Sequence, residues 1–301
     1  MEKETIIKRL TLIKYLFKIG YQQSYQFETY ASFSILSFHD SIEMFLKLSA
    51  EYLGIKNDGK LSFIEYWDKI PKLTLRESMR NLNALRVSLK HKGILPAKVD
   101  IEISRSLTKL FFIESTKNIY NIDFENVSLG NLVEYENVRK YINQAQEDLN
   151  LKNYEDCLVN CAKGFEILIE EFTSTKLNET HENIIFNGLK LNKINTRSFE
   201  IDSNHKNFIN EIKKAVGSIE SGLNINNLGI DYLKYAKFKT LVPTVKYWAD
   251  NQFDIFPREH IKLKRPEYSC EFAIDFVIGT SLHLKNLEFD FSDLIEVKHD
   301  F

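Results

Sequence analysis

The sequence predicts an all-α protein. Apolar residues recur at three- and four-residue spacing through almost the whole chain, and alternation of period two is scarce. In the first hundred residues, Gly or Pro follows each periodic stretch. With 301 residues, 44% hydrophobic and 13% aromatic, the chain suffices for one large domain or two ordinary ones with real cores.

The elements follow in order. "ETIIKRLTLIKYLFKIG" is expected to be a helix capped at Gly20. "FETYASFSILSFHDSIEMFLKLSAEYLG" reads as one long second helix ending at Gly54, apolar over most of its circumference and therefore central. "LSFIEYWDKIP" is a short third helix stopped by Pro71. "LTLRESMRNLNALRVSLKHKG" is a fourth, ended by Gly93 with Pro96 just beyond, and "DIEISRSLTKLFFIES" is a fifth.

At "NIYNIDFENVSLGN" the period is lost, which places a boundary between a first domain, 1–120, and a second, 121–301. In the second, "LVEYENVRKYINQAQEDLN" and "NYEDCLVNCAKGFEILIEEF" read as a helix pair. Cys157 and Cys161 lie on the latter's apolar face, as core rather than chemistry. Further helices run from "NHKNFINEIKKAVGSIESGL" to "EYSCEFAIDFVIGTSLHLKN". They are broken at "NINNLG" and at "FDIFPREHIKLKRPE", which reads as a connector.

The net charge of −2 hides an asymmetry. Residues 1–120 hold 19 Lys and Arg against 13 Asp and Glu, and the rest hold 21 against 29. A basic first part points weakly to a polyanion. Three cysteines without paired spacing argue against a disulfide framework and for a reducing compartment. Neither a C-x-x-C nor an H-x₃-H pair suggests a metal site, and no cofactor motif is present. A charged N-terminus and the lack of a long apolar run make the expected protein soluble and cytoplasmic, with no membrane partner.

The fourth helix carries the chemistry. On a wheel of about 100° per residue, Leu75, Met79, Leu82, Leu85 and Leu89 form an apolar arc. Arg76, Arg80, Asn83 and Lys90 form a neighbouring polar, mostly basic stripe. Arg86 falls inside the apolar arc, where a guanidinium must find a partner or face an interface. His91 follows five residues later, about 140° round the wheel. Either the helix end unwinds and returns the imidazole, or two copies of the helix meet. On the polar strip of the second helix Glu43 lies one turn from both His39 and Lys47, so either it forms local pairs there or it or Asp40 holds Arg86 across a helix–helix contact. A buried ion pair with no chemistry is the alternative.

Arginine, four residues, then histidine near a helix end in a small all-α domain resembles the HEPN superfamily, whose pattern is R-x₄₋₆-H. Here Arg86-Val-Ser-Leu-Lys-His91 fits, within Asn83, Leu85, Arg86, Lys90, His91 and Gly93 of an "NxLRxxxKHxG" segment. The resemblance covers residues 1 to about 115. It implies an antiparallel helical bundle that dimerises and a metal-independent endoribonuclease of phage defence, abortive infection or toxin systems. Arg86 and His91 would be catalytic, with Asp40, Glu43, Asn83 and Lys90 in support. Arg76, Arg80 and Lys92 would contact RNA phosphates. Many active relatives carry a polar residue after the arginine, where this chain has Val87. A non-cleaving RNA-binding or scaffolding module is therefore the alternative. The second domain resembles HEPN-like helical proteins without its own R-x₄₋₆-H, which implies a degenerate domain for assembly or regulation, or for contact with a partner protein.

Overall fold

The computed structural model describes residues 1–55, 61–174, 203–248, 252–257 and 262–287. The chain divides into two compact units, Met1–Leu132 and Val133–Phe301. Among the described residues it is all-α apart from one small β hairpin.

The first unit contains α1 (Lys3–Gln23), α2 (Glu28–Ser32), α3 (Ser34–Tyr52), α4 (Glu65–Lys69), α5 (Arg76–Lys92) and α6 (Lys98–Tyr120), then a 3₁₀ turn at Leu129–Leu132. Helix α3 is central: Ile35, Phe38, Ile42, Phe45, Leu46 and Leu48 are fully buried. Around it Phe17, Phe45, Phe111, Phe112 and Phe124 pack ring against ring, with centroids 4.7–6.1 Å apart. Each such ring contributes about 1.5–3 kcal/mol by burial.

Side-chain pairs fix the helix directions. Gly20 meets Phe38 while Arg9 meets Glu51, so α1 and α3 are antiparallel. Phe45 meets Phe111 and Ser49 meets Tyr120, so α3 and α6 are parallel. Thr74, just before α5, bonds to Ser115 late in α6, and α5 ends where α6 is about to begin. Helix α5 is therefore antiparallel to both. One pole of the unit gathers the end of α1, α2, the start of α3, the end of α5 and the start of α6.

Several expected boundaries move. Gly20 does not cap α1, which runs on to Gln23. It is instead where α1 and α3 come closest, since a Cβ there would stand 2.9 Å from the Phe38 ring. The long second helix is two helices broken at Phe33. The Ser34 hydroxyl donates to the Ala31 carbonyl at 2.6 Å, offering the backbone a local alternative to the helical ladder. The first unit also extends to Leu132 rather than to residue 120. Phe124 and Val127 are buried in its core, Phe124 stacks on Phe112, and Lys14 donates to the carbonyls of Glu125 and Val127 at 2.6 and 2.7 Å.

The second unit contains α7 (Glu136–Asn150), α8 (Tyr154–Ser174), α9 (Ser203–Asn227), α10 (Tyr232–Leu241), β1 (Thr244–Trp248), β2 (Gln252–Phe256) and α11 (Pro266–Asn286). It is not wholly helical: β1 and β2 pair antiparallel with Val245 opposite Ile255, so the "FDIF" expected in a connector is strand. Val245 is the buried residue of the hairpin, facing α8. The expected break at "NINNLG" shifts to Leu228–Asp231, where Gly229 is left-handed and the His283 Nε2–H donates to the Leu228 carbonyl at 2.9 Å. Cys157, Cys161 and Cys270 are free and fully buried, and hydrogen bonding between neighbouring thiols, with burial, pushes Cys157 and Cys270 well above the ordinary thiol range.

Candidate functional site

Helix α5 begins after Leu75, a non-glycine residue in the left-handed conformation, and stays α-helical through Lys92. Gly93 then takes φ +65 and its N–H returns to the Leu89 carbonyl, which closes the helix. Met79, Leu82 and Leu89 are buried and Leu75 and Leu85 pack at the edge, as the wheel predicts.

The regular helix decides one expected alternative. There is no unwound end to turn His91 back, so Arg86 and His91 stay about 140° apart on one chain. Arg86 is half-buried on the side of α5 that lies near α3, and its charge acts on His39 and Glu43. His91 is exposed on the last turn, between exposed Lys90 and Lys92.

Of the two arrangements open for Glu43, the local pair forms. Glu43 accepts from Lys47 at 2.6 Å, and this bond, with the charges of Lys47, His39 and Arg86, holds its carboxyl below the usual range. Asp40 faces His39 Nδ1 at 3.5 Å. Among the described residues Arg86 makes no hydrogen bond or ion pair within 4.0 Å, so it is not locked to either carboxylate.

His39 was visible in the sequence only as part of a polar strip. It is 3% exposed, yet its Nε2 lies 3.0 Å from Asn83 Oδ1 and its ring stacks on Phe63 at 4.4 Å. Asn83 Oδ1 accepts from Nε2–H, while Nδ1 faces Asp40 and, at 4.0 Å, Glu43. Burial lowers the His39 pKa, the Arg86 charge lowers it further, and the Asp40 and Glu43 contacts oppose this. Across the α3–α5 contact a buried His39 imidazole thus bonds to Asn83, three residues before Arg86.

The expected phosphate contacts separate into two groups. Arg76 pairs with Asp68 at 2.7 Å and Arg80 with Glu77 at 2.7 Å. Lys90 and Lys92 make no ion pair among the described residues. The free cations therefore lie at the His91 end of α5. His39, Asp40 and Glu43 also bring ligand-type atoms within 4.8 Å of one another. Lys47 already stands at 2.6 Å from Glu43, and with Arg86 it supplies the positive charge this cluster attracts.

No family model, curated protein or solved structure matches the chain. The site therefore rests on its own geometry. Among the described residues no helix is long and apolar enough to cross a membrane.

Proposed function

We propose that this protein is a metal-independent endoribonuclease of HEPN type, in which Arg86 and His91 act on RNA across a dimer of first units. The observation that carries this is Arg86: a half-buried guanidinium on an otherwise regular apolar arc that makes no ion pair within 4.0 Å among the described residues. A guanidinium whose hydrogen-bond donors are left without a protein partner is suited to an anion supplied from outside.

The chemistry needs nothing beyond RNA and these residues. The ribose 2′-oxygen attacks the adjacent phosphorus as its proton is removed. The new 2′-O–P bond forms, the P–O5′ bond breaks, and the departing 5′-oxygen takes a proton. The products are a 2′,3′-cyclic phosphate and a 5′-hydroxyl. His91 has the side-chain type to move those protons near neutral pH, and Arg86 to hold the developing phosphoryl charge. Because α5 keeps the two apart on one chain, His91 of one copy would serve with Arg86 of the other. Ile94, Leu95, Val99 and Ile103, all at least half exposed beside His91, offer an apolar surface for such a second copy. A role in phage defence, abortive infection or toxicity rests on the resemblance alone.

Purified protein should cleave mixed RNAs in EDTA, and Arg86→Ala or His91→Ala should each slow cleavage by about 10²–10⁴-fold. Mixing the two inactive variants should restore part of the activity, because one of the two composite sites would be intact. Cleavage equal to wild type in either variant overturns the reading. The second reading is a non-cleaving module that binds RNA or scaffolds a partner protein. It is favoured by Val87, an exposed apolar side chain beside Arg86. It predicts RNA binding without cleavage.

A further inference from the structure

The pole where α5 ends carries a second feature. The short stretch joining α1 to α3 presents Tyr21, Tyr25, Phe27, Tyr30 and Phe33, all exposed, with Phe27 at 89%, Tyr30 at 64% and Tyr25 at 63%. Leaving so many large rings in water is unusual for a surface with no partner. Phe27, Tyr30 and Phe33 make no ring contact among the described residues. Tyr25 is edge-on to Tyr21 at 5.3 Å. Its face is covered by the Arg105 guanidinium at 4.0 Å, which also donates to the Ser24 hydroxyl at 3.2 Å.

A flat cation layered on a ring, beside open rings, matches nucleic acid: bases offer π faces to stack on, and phosphates take the cations. The position matches as well. Arg105 fixes the first third of α6 against the end of α1, so the rings share their pole with the start of α6 and the end of α5. Lys90, Lys92 and Lys98 are exposed there and make no ion pair among the described residues. Asp100 of α6 is turned back onto the Ala97 N–H at 3.3 Å. A duplex hides its base faces, so the rings select a strand whose bases are unpaired.

We infer that Tyr25, Phe27, Tyr30 and Arg105 form a stacking platform for single-stranded RNA at the pole that carries His91. This rests on the reading that RNA is the substrate and adds its class.

The test uses full-length protein bearing His91→Ala, so that RNA survives the measurement. Fluorescence anisotropy is read with a labelled, unstructured oligoribonucleotide and with its duplex. The single strand should bind better than the duplex. Phe27→Ala and Tyr30→Ala should each weaken single-strand binding by about 5- to 100-fold. Phe27→Trp and Tyr30→Phe should retain it, at unchanged melting temperature. Unchanged affinity in the Ala variants, or equal affinity for duplex, overturns the platform. So does a loss in those variants of self-association or of binding to anionic phospholipid vesicles with RNA affinity intact, which would assign the rings to a second copy or to a membrane surface. The two readings fail separately. Single-strand binding that depends on the rings, with no cleavage by wild type, keeps the platform and removes the nuclease. Cleavage with ring-independent affinity does the reverse.

Discussion

His39 shows most directly how the site is held. It links α3 to α5 through Asn83, while burial keeps its imidazole neutral. Its folded pKa lies below the unfolded value of 6.5, so the unfolded chain takes up the proton first as pH falls. Its stabilising contribution is therefore complete above pH about 6.5 and is lost as pH drops from there through the lowered folded value. Urea midpoints measured at neutral and mildly acidic pH should fall more steeply for wild type than for His39→Gln, which has no proton to gain. At neutral pH His39→Gln should itself cost about 1–3 kcal/mol, because it disturbs a buried hydrogen-bond pair and the stack on Phe63. A pH dependence identical in the two proteins would show that His39 titrates as in solvent. In the sequence, His39 could be placed beside Asp40 and Glu43, but its bond to Asn83 could not be seen, because the two are joined only by the approach of α3 and α5.

Among the elements, two glycines separate packing from backbone geometry. At Gly20 a methyl group would meet the Phe38 ring at 2.9 Å inside the core. The gain in helix propensity from alanine, about 1 kcal/mol, cannot be realised without moving that ring. Gly20→Ala should lower stability by about 1–3 kcal/mol, read as a lower melting temperature. At Gly93 nothing lies within 4 Å of an added Cβ, and the objection is φ +65. Gly93→Ala should cost about 1–2 kcal/mol through backbone strain and fraying of the last turn of α5. On the nuclease reading proposed above, it should also slow RNA cleavage, because His91 sits on that last turn. The sequence marks both glycines as helix ends. Only Gly93 is one, because the difference lies in whether another helix passes within contact distance.

At the scale of the whole molecule, the limits of the first unit are testable. A chain of residues 1–132 should unfold in one cooperative transition, monitored by circular dichroism against urea. A chain ending at residue 120 should be markedly less stable, because it lacks Phe124 and Val127 and leaves Lys14 without the Glu125 and Val127 carbonyls. Equal stability of the two would place the boundary where loss of periodicity puts it. That periodicity by itself determined the all-α class, the central apolar helix and the arc on α5 that singles out Arg86. Each follows from spacing along one element, which a sequence states outright. What only the tertiary structure decided is which elements meet. It buried His39 against Asn83, gave Glu43 to Lys47 instead of Arg86, kept α5 regular past His91 and drew residues 121–132 into the first core. For the His39–Asn83 bond and the first core the reason is that partners far apart in sequence meet at distances no single helix contains. For Glu43 and the end of α5 it is that a local partner, Lys47 one turn on and the Leu89 carbonyl, is nearer than any distant one.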